Sequence, residues 1–223
     1  MVFGDLLHRC DPALSALVLV DVQVDFCTDD LPGGRRPRPQ MAQMASYLIL
    51  FVATARAVGV PVVFVQTIHD EESDSLPWRS RGGEAARYDQ ELCKPWSEGA
   101  EFFRIAPAHG DLVVIKHCYD AFVGTELDDA LRSLGRKAVI ATGVMTGICV
   151  ETTVRHAVCL DYLTTTVSDC CAAGSEEQHE RALARISRSF GLVATAAEIA
   201  RGWKVDLVPA PSTSPRGGGL VTG

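Results

Sequence analysis

Three side chains in this sequence are placed for covalent hydrolysis: Asp21, Lys116 and Cys149. Each follows an apolar run. Val18-Leu19-Val20 ends in Asp21, and Val113-Val114-Ile115 ends in Lys116. Ala138-Val139-Ile140-Ala141 leads through a turn with two glycines, Gly143 and Gly147, to Cys149. Runs of this kind read as buried strands. A charge at the end of a buried strand is costly unless it is paired or used. One reading makes Asp21 and Lys116 a structural ion pair and Cys149 a small core residue. The other joins all three. The carboxylate takes the thiol proton, the lysine holds the carboxylate, and the sulfur attacks a carbonyl carbon. No histidine is needed as the base. A helical pattern begins next, with Ile148, Val150, Val154, Ala157 and Val158 among its apolar members. Cys149 is therefore expected in the first turn of a helix. There the orphan N–H groups and the helix dipole favour a thiolate and can bind an oxyanion.

The elements that must position these groups alternate. Strands are expected over 16–20, 61–65, 112–115, 137–141, 162–167 and 192–194. Helices are expected over 41–57, 126–134, 148–160, 176–189 and 196–203. Apolar strands alternating with helices specify a parallel sheet covered on both faces. The expected fold is a three-layer, doubly wound α/β structure, Rossmann-like, with a mainly parallel sheet of about six strands. Its ligands bind beyond the carboxyl ends of the strands. A single domain is expected over 1–207. The stretch 208–223, rich in Pro, Ser, Thr and Gly, reads as a disordered tail. The connection 66–111 is long for this class and reads as an excursion over the substrate or a contact with a partner subunit.

Bulk properties narrow the function. The net charge of −7 argues against a nucleic-acid partner. No 18-residue apolar run suggests a membrane span. The first residues lack the basic start and apolar core of a signal peptide. The eight cysteines form no Cys-x-x-Cys pair, so they read as reduced cytoplasmic thiols rather than a zinc site or a redox pair.

Three segments, in order, carry a resemblance to a known family. They are Asp21-Val22-Gln23-Val24-Asp25-Phe26, Lys116 with Ala121-Phe122-Val123-Gly124-Thr125, and Gly143-Val144-Met145-Thr146-Gly147-Ile148-Cys149-Val150-Glu151. Together they resemble the isochorismatase-like cysteine hydrolases. That superfamily includes nicotinamidases, N-carbamoylsarcosine amidases, ureidoacrylate amidohydrolases and biuret-type hydrolases. The resemblance implies a catalytic triad of Asp21, Lys116 and Cys149, and a cis peptide at Val144–Met145. It also implies an oxyanion hole from the N–H groups of Met145 and Cys149, and a homo-oligomer. The expected activity is hydrolysis of a C–N bond in a small amide, ureide or lactam through a thioester. The ureide and carbamoyl branch looks nearest.

Nicotinamidase is the alternative within the superfamily. Those enzymes commonly carry an Asp-x-His metal motif after the second strand, where this chain reads Thr67-Ile68-His69. A lone histidine is too few ligands, so neither a metal nor another cofactor is expected. The alternative of another class is a non-catalytic member kept for small-molecule binding or assembly. For the pocket, Phe26 lies five residues after Asp21, and Tyr119 and Phe122 lie three and six after Lys116. These aromatics are expected beside the strand ends as substrate contacts, with Trp78 closing over them from the long connection.

Overall fold

Residues 6–31, 34–80 and 91–207 are described in the computed structural model. Eight strands are found among them. These are β1 (Ser15–Val20), β2 (Thr28–Leu31), β3 (Gly34–Pro37), β4 (Val62–Thr67), β5 (Leu112–Lys116), β6 (Ala138–Val144), β7 (Leu163–Ala172) and β8 (Leu192–Ala194). Six of them form one sheet in the order β5-β4-β1-β6-β7-β8. Every pairing in it is parallel. β2 and β3 form a separate antiparallel hairpin.

The reason is visible in the central strands. All of β1, Ser-Ala-Leu-Val-Leu-Val, and all of β6 are buried, as strands covered on both faces must be. Leu17, Leu19 and Phe64 face one core with the helices Pro39–Ala57 and Ala196–Gly202. Val18, Val20, Val63 and Val65 face a second core. The helices Leu127–Ser133, Glu151–Cys159 and Glu176–Ser189 supply Leu127, Leu131, Val154, Ala157 and Ile186 to it. Three layers result, as the alternation of elements predicts.

The strand order creates the site. From β1 the chain moves outward through β4 to β5, then returns to β6 on the other side of β1. The carboxyl ends of β1 and β6 thus flank the point where the winding reverses, and a crevice opens there.

Some elements differ from expectation. β6 runs to Val144 and β7 to Ala172, both past their expected ends. Cys170 and Cys171 consequently lie within β7, one in each core. Register shifts between Ala141 and Gly143 where β6 meets β7. The β2–β3 hairpin was not expected at all. The helix over 148–160 is in fact two pieces. A wide turn, Thr146–Val150, is closed by the Val150 N–H donating to the Met145 carbonyl at 3.3 Å. This five-residue spacing is that of a π-turn. The α-helix proper starts only at Glu151. Residues from Val208 onward, the expected tail, lie outside the described residues. No described helix is long and apolar enough to cross a membrane.

Candidate active site

Asp21 follows β1 directly and has φ = 54°, the left-handed region. Side chains other than glycine enter that region at a cost, and Asp and Asn are the commonest to do so. The carboxylate is buried. Its Oδ1 accepts the Thr67 hydroxyl at 2.8 Å, from the end of β4. Its Oδ2 lies 2.8 Å from Lys116 Nζ. Lys116 ends β5, two strands from β1, and is 1% exposed. Its stem crosses the end of β4, where Thr67 pairs with Lys116 in register. Nζ also donates to the Cys118 carbonyl at 2.7 Å.

Cys149 arrives from the other side of β1, on the π-turn after β6. The approach requires Gly143. Its φ is +109°, and a Cβ there would sit 2.0 Å from the Val20 carbonyl oxygen. The Val144–Met145 peptide that follows is cis. The Cys149 thiol lies beside Asp21 and Lys116 on one cavity wall, and both side chains act on it. The three residues read from the strand ends are thus brought together.

Electrostatics correct one expectation. Cys149 opens on the cavity and is otherwise enclosed. Burial pushes its thiol well above the usual range, Asp21 pushes it further, and Lys116 opposes both. Burial and the Asp21 charge thus both favour the neutral thiol over a thiolate. The sulfur lies in a π-turn before the helix, so the dipole argument lacks its geometry. For Lys116, burial acts downward, but the charge of Asp21, first among the opposing influences, outweighs it and raises the ammonium. The lysine is therefore charged at neutral pH.

Asp21, Lys116 and Cys149 line one cavity of about 260 Å³, the size for a small molecule. Phe26, Trp78, Tyr119 and Met145 line it as well. Phe122 does not. It is buried in the second core, with its ring centroid 6.0 Å from that of Tyr162 and 5.4 Å from that of His156. Its spacing from Lys116 placed it near the strand end, but the chain turns there and points the ring inward. Trp78→Ala is expected to change the ratio of kcat/KM between substrates by about tenfold. Phe122→Ala is expected to cost about 3 kcal/mol of stability and leave that ratio unchanged. Steady-state kinetics on a substrate pair, with thermal melts, separates the two roles.

Several lining residues were not read from the sequence as site residues. His69, considered there only as a metal ligand, is buried, holds Asp74 Oδ1 through Nδ1 at 2.6 Å and stacks on Trp78 with centroids 4.1 Å apart. Burial lowers its pKa, against the pull of Asp74. Asp25 ion-pairs with Arg35 and accepts the Cys93 N–H at 2.7 Å. Gly99 packs against Asp25 so closely that a Cβ would lie 1.9 Å from the carboxylate. Gln23 donates to the carbonyls of Thr67 and Ala100 and accepts the Thr67 N–H, all at 2.8–2.9 Å. These bonds fasten the long connection to the carboxyl end of the sheet. Gln23 and Asp25 stand in a segment that carries the family resemblance, but their contacts give no signal in sequence, because nothing but the fold brings 23–25 beside 93–100. Among the described residues, no group of three His, Cys, Asp or Glu side chains is arranged to hold a metal ion. The ring nitrogen of His69 that meets Asp74 is already engaged.

The helix after Cys149 is tied down by Glu151. This buried carboxylate meets Arg155 one turn on and Arg185 on the helix Glu176–Ser189 at 2.5 and 2.7 Å. Burial raises its pKa, but the two guanidinium groups outweigh that and hold it below 4.5. Unfolding releases the carboxylate to the ordinary value. The stability it lends is therefore complete above about pH 4.5 and is lost as pH falls through the depressed value. Glu151→Gln is expected to cost about 1–3 kcal/mol at pH 7 and progressively less in acid. Urea melts at pH 7 and pH 3.5 check this.

Comparison with known proteins follows from this geometry. The profile of the isochorismatase domain matches residues 15–198. The chain belongs to the isochorismatase family. It is 32% identical over 235 residues to the ureidoacrylate amidohydrolase RutB of Methylobacterium radiotolerans, covering 95% of this chain and 86% of that one. Among solved structures, a cysteine hydrolase from Pseudomonas syringae superposes with a TM-score of 0.77 at 28% identity, covering 87% of this chain and 94% of that one. The N-carbamoylsarcosine amidase of Thermoplasma acidophilum superposes with a TM-score of 0.67 at 27% identity, covering 82% and 96%. The family's fold is the one described above, a parallel α/β sheet flanked by helices.

Proposed function

We propose that this isochorismatase-family chain is a cysteine-dependent amidase that hydrolyses a C–N bond of a small amide, ureide or lactam. The observation that carries the reading is the buried Asp21–Lys116 ion pair beside the Cys149 thiol, on the wall of one small cavity. Two of the relatives just named are an amidohydrolase and an amidase, which supports the reaction class.

Each group has a task. Asp21 takes the thiol proton, its Oδ1 held by the Thr67 hydroxyl and its Oδ2 by Lys116. The sulfur attacks the carbonyl carbon and the C=O electrons move to oxygen. The N–H groups of Met145 and Cys149 bind that oxyanion. The intermediate collapses, the C–N bond breaks, and Asp21 returns the proton to the leaving nitrogen. Water then attacks the thioester, giving its proton to Asp21. The acid forms and the thiol is regenerated. Lys116 stays charged throughout. It favours the carboxylate between steps and balances the negative charge that grows on sulfur. Self-association belongs to this reading through the family likeness, and light scattering tests it.

The experiment is ammonia release from a panel of simple amides, N-carbamoyl amino acids, ureides and lactams, with intact-mass analysis of quenched reactions. Turnover of a member of the panel with an acyl adduct on Cys149 is expected. Saturable binding of such compounds without turnover would favour a non-catalytic member instead.

A further inference from the structure

The π-turn that carries Cys149 is braced from behind by one face of the helix Glu176–Ser189. Three residues at spacings of three make the contact. His179 Nδ1 lies 2.8 Å from the Thr146 hydroxyl. The Ala182 methyl lies 3.3 Å from where a Cβ on Gly147 would stand. Arg185 meets Glu151 at 2.7 Å. Residues three apart share a helix face, so this face runs along the turn from Thr146 to Glu151. Two of the contacts are packing and an ion pair. The first is different in kind. Thr146 is fully buried and directly follows Met145, one of the two proposed oxyanion donors. Its only described hydroxyl contact is His179.

We propose that His179 is a positioning residue for the reaction: through Thr146 it fixes the turn that aims the Met145 and Cys149 N–H groups and the Cys149 sulfur. The inference rests on the cysteine reading above.

The chemistry of the ring makes the role specific. His179 is half-buried beside β7, and its Nδ1 meets the Thr146 hydroxyl. A neutral imidazole has one donor and one acceptor, and the proposed arrangement has Nδ1 as the acceptor of the Thr146 hydroxyl at 2.8 Å. Each polar atom then has one role and the turn has one arrangement. Protonation makes Nδ1 a donor, the hydroxyl must rotate, and the arrangement is lost. Burial favours the neutral ring. The groups facing it are Glu176 and Glu180 from its own helix and, across a small neighbouring cavity, Asp169 and Cys171 from β7 and Tyr47 from the helix Pro39–Ala57. The carboxylates oppose the burial. Asp169 is itself engaged, since its Oδ1 accepts the Ala196 N–H at 2.8 Å.

The test compares His179→Leu, His179→Asn, Thr146→Val and the His179→Leu/Thr146→Val double variant on a turned-over substrate. A displacement of about 1 Å at a reacting centre costs up to about 100-fold. His179→Leu and Thr146→Val are each expected to lower kcat by about 10- to 100-fold with KM little changed. The double variant should lose no more than either single, as coupled residues do. Asparagine places an acceptor near the Nδ1 position and does not titrate. His179→Asn is expected to recover kcat to within about threefold and to flatten the acid limb of the wild-type pH–kcat profile. Wild-type kcat in folded His179→Leu, or losses that multiply in the double variant, would overturn the proposal. So would an unchanged acid limb in His179→Asn. If His179→Leu does not fold, Thr146→Val and His179→Asn decide by the same measures. An active Cys149→Ala would remove the cysteine reading and this proposal with it. An inactive Cys149→Ala beside a fully active His179→Leu would remove this proposal alone.

Discussion

Cys149→Ala is expected to abolish turnover, by about 10⁴-fold or more, in a protein that folds normally. The Cys149 sulfur lies on the cavity wall beside the buried pair. In the proposed reaction the acyl intermediate forms on this sulfur. Cys149 opens on the cavity, so removing the thiol leaves little void, and the melting temperature should stay within about 3 °C. Cys149→Ser is expected to be equally inactive. Its hydroxyl is a far weaker acid than a thiol, and a carboxylate cannot deprotonate it usefully. Activity assays on both variants beside thermal melts check the result. Turnover above a tenth of wild type in either would show that the reaction does not pass through sulfur.

The second large effect belongs to the ion pair, and its two halves fail differently. Asp21→Asn keeps the shape and the Thr67 contact but cannot take a proton. Turnover is expected to fall by about 10³-fold, within the range for loss of a general base. No acyl adduct should accumulate, because the thiol is held well above its usual range and has no other base. Lys116→Ala strands a buried carboxylate, which costs about 3–5 kcal/mol. For a chain of this length that lowers the melting temperature by about 10 °C. The raised pKa of Lys116 fixes the pH course. Its contribution is complete below 10.5 and is lost as pH rises through the elevated value. The destabilisation should therefore be full at pH 7. Rapid-quench mass analysis of Asp21→Asn and melts of Lys116→Ala at pH 7 measure the two. An unchanged melting temperature in Lys116→Ala would mean that the pair is not the buried unit described here.

Much of this was legible in the chain. Hydrophobic runs such as Val18-Leu19-Val20 and Val139-Ile140-Ala141 specify strands buried on both faces, because polar residues are too costly there. Their alternation with amphipathic helices then leaves a parallel sheet as the arrangement that covers them. Charged residues at the ends of those runs mark one edge of the sheet, and the spacing of Asp21, Lys116 and Cys149 identifies the groups that meet there. These are local signals, and local physics writes them. The tertiary structure decided what local signals cannot carry. It set the electrostatic state of the thiol, since desolvation depends on every neighbour and overrode the helix-dipole expectation. It turned Phe122 into the core and left Phe26, Trp78 and Tyr119 on the cavity, because a ring's direction follows from how the chain bends after Lys116. It also placed His69, Asp25 and His179, none of them in sequence beside the residues they serve. Their roles rest on contacts across 5 to 68 positions of chain, and only the closed fold brings those atoms within hydrogen-bond distance.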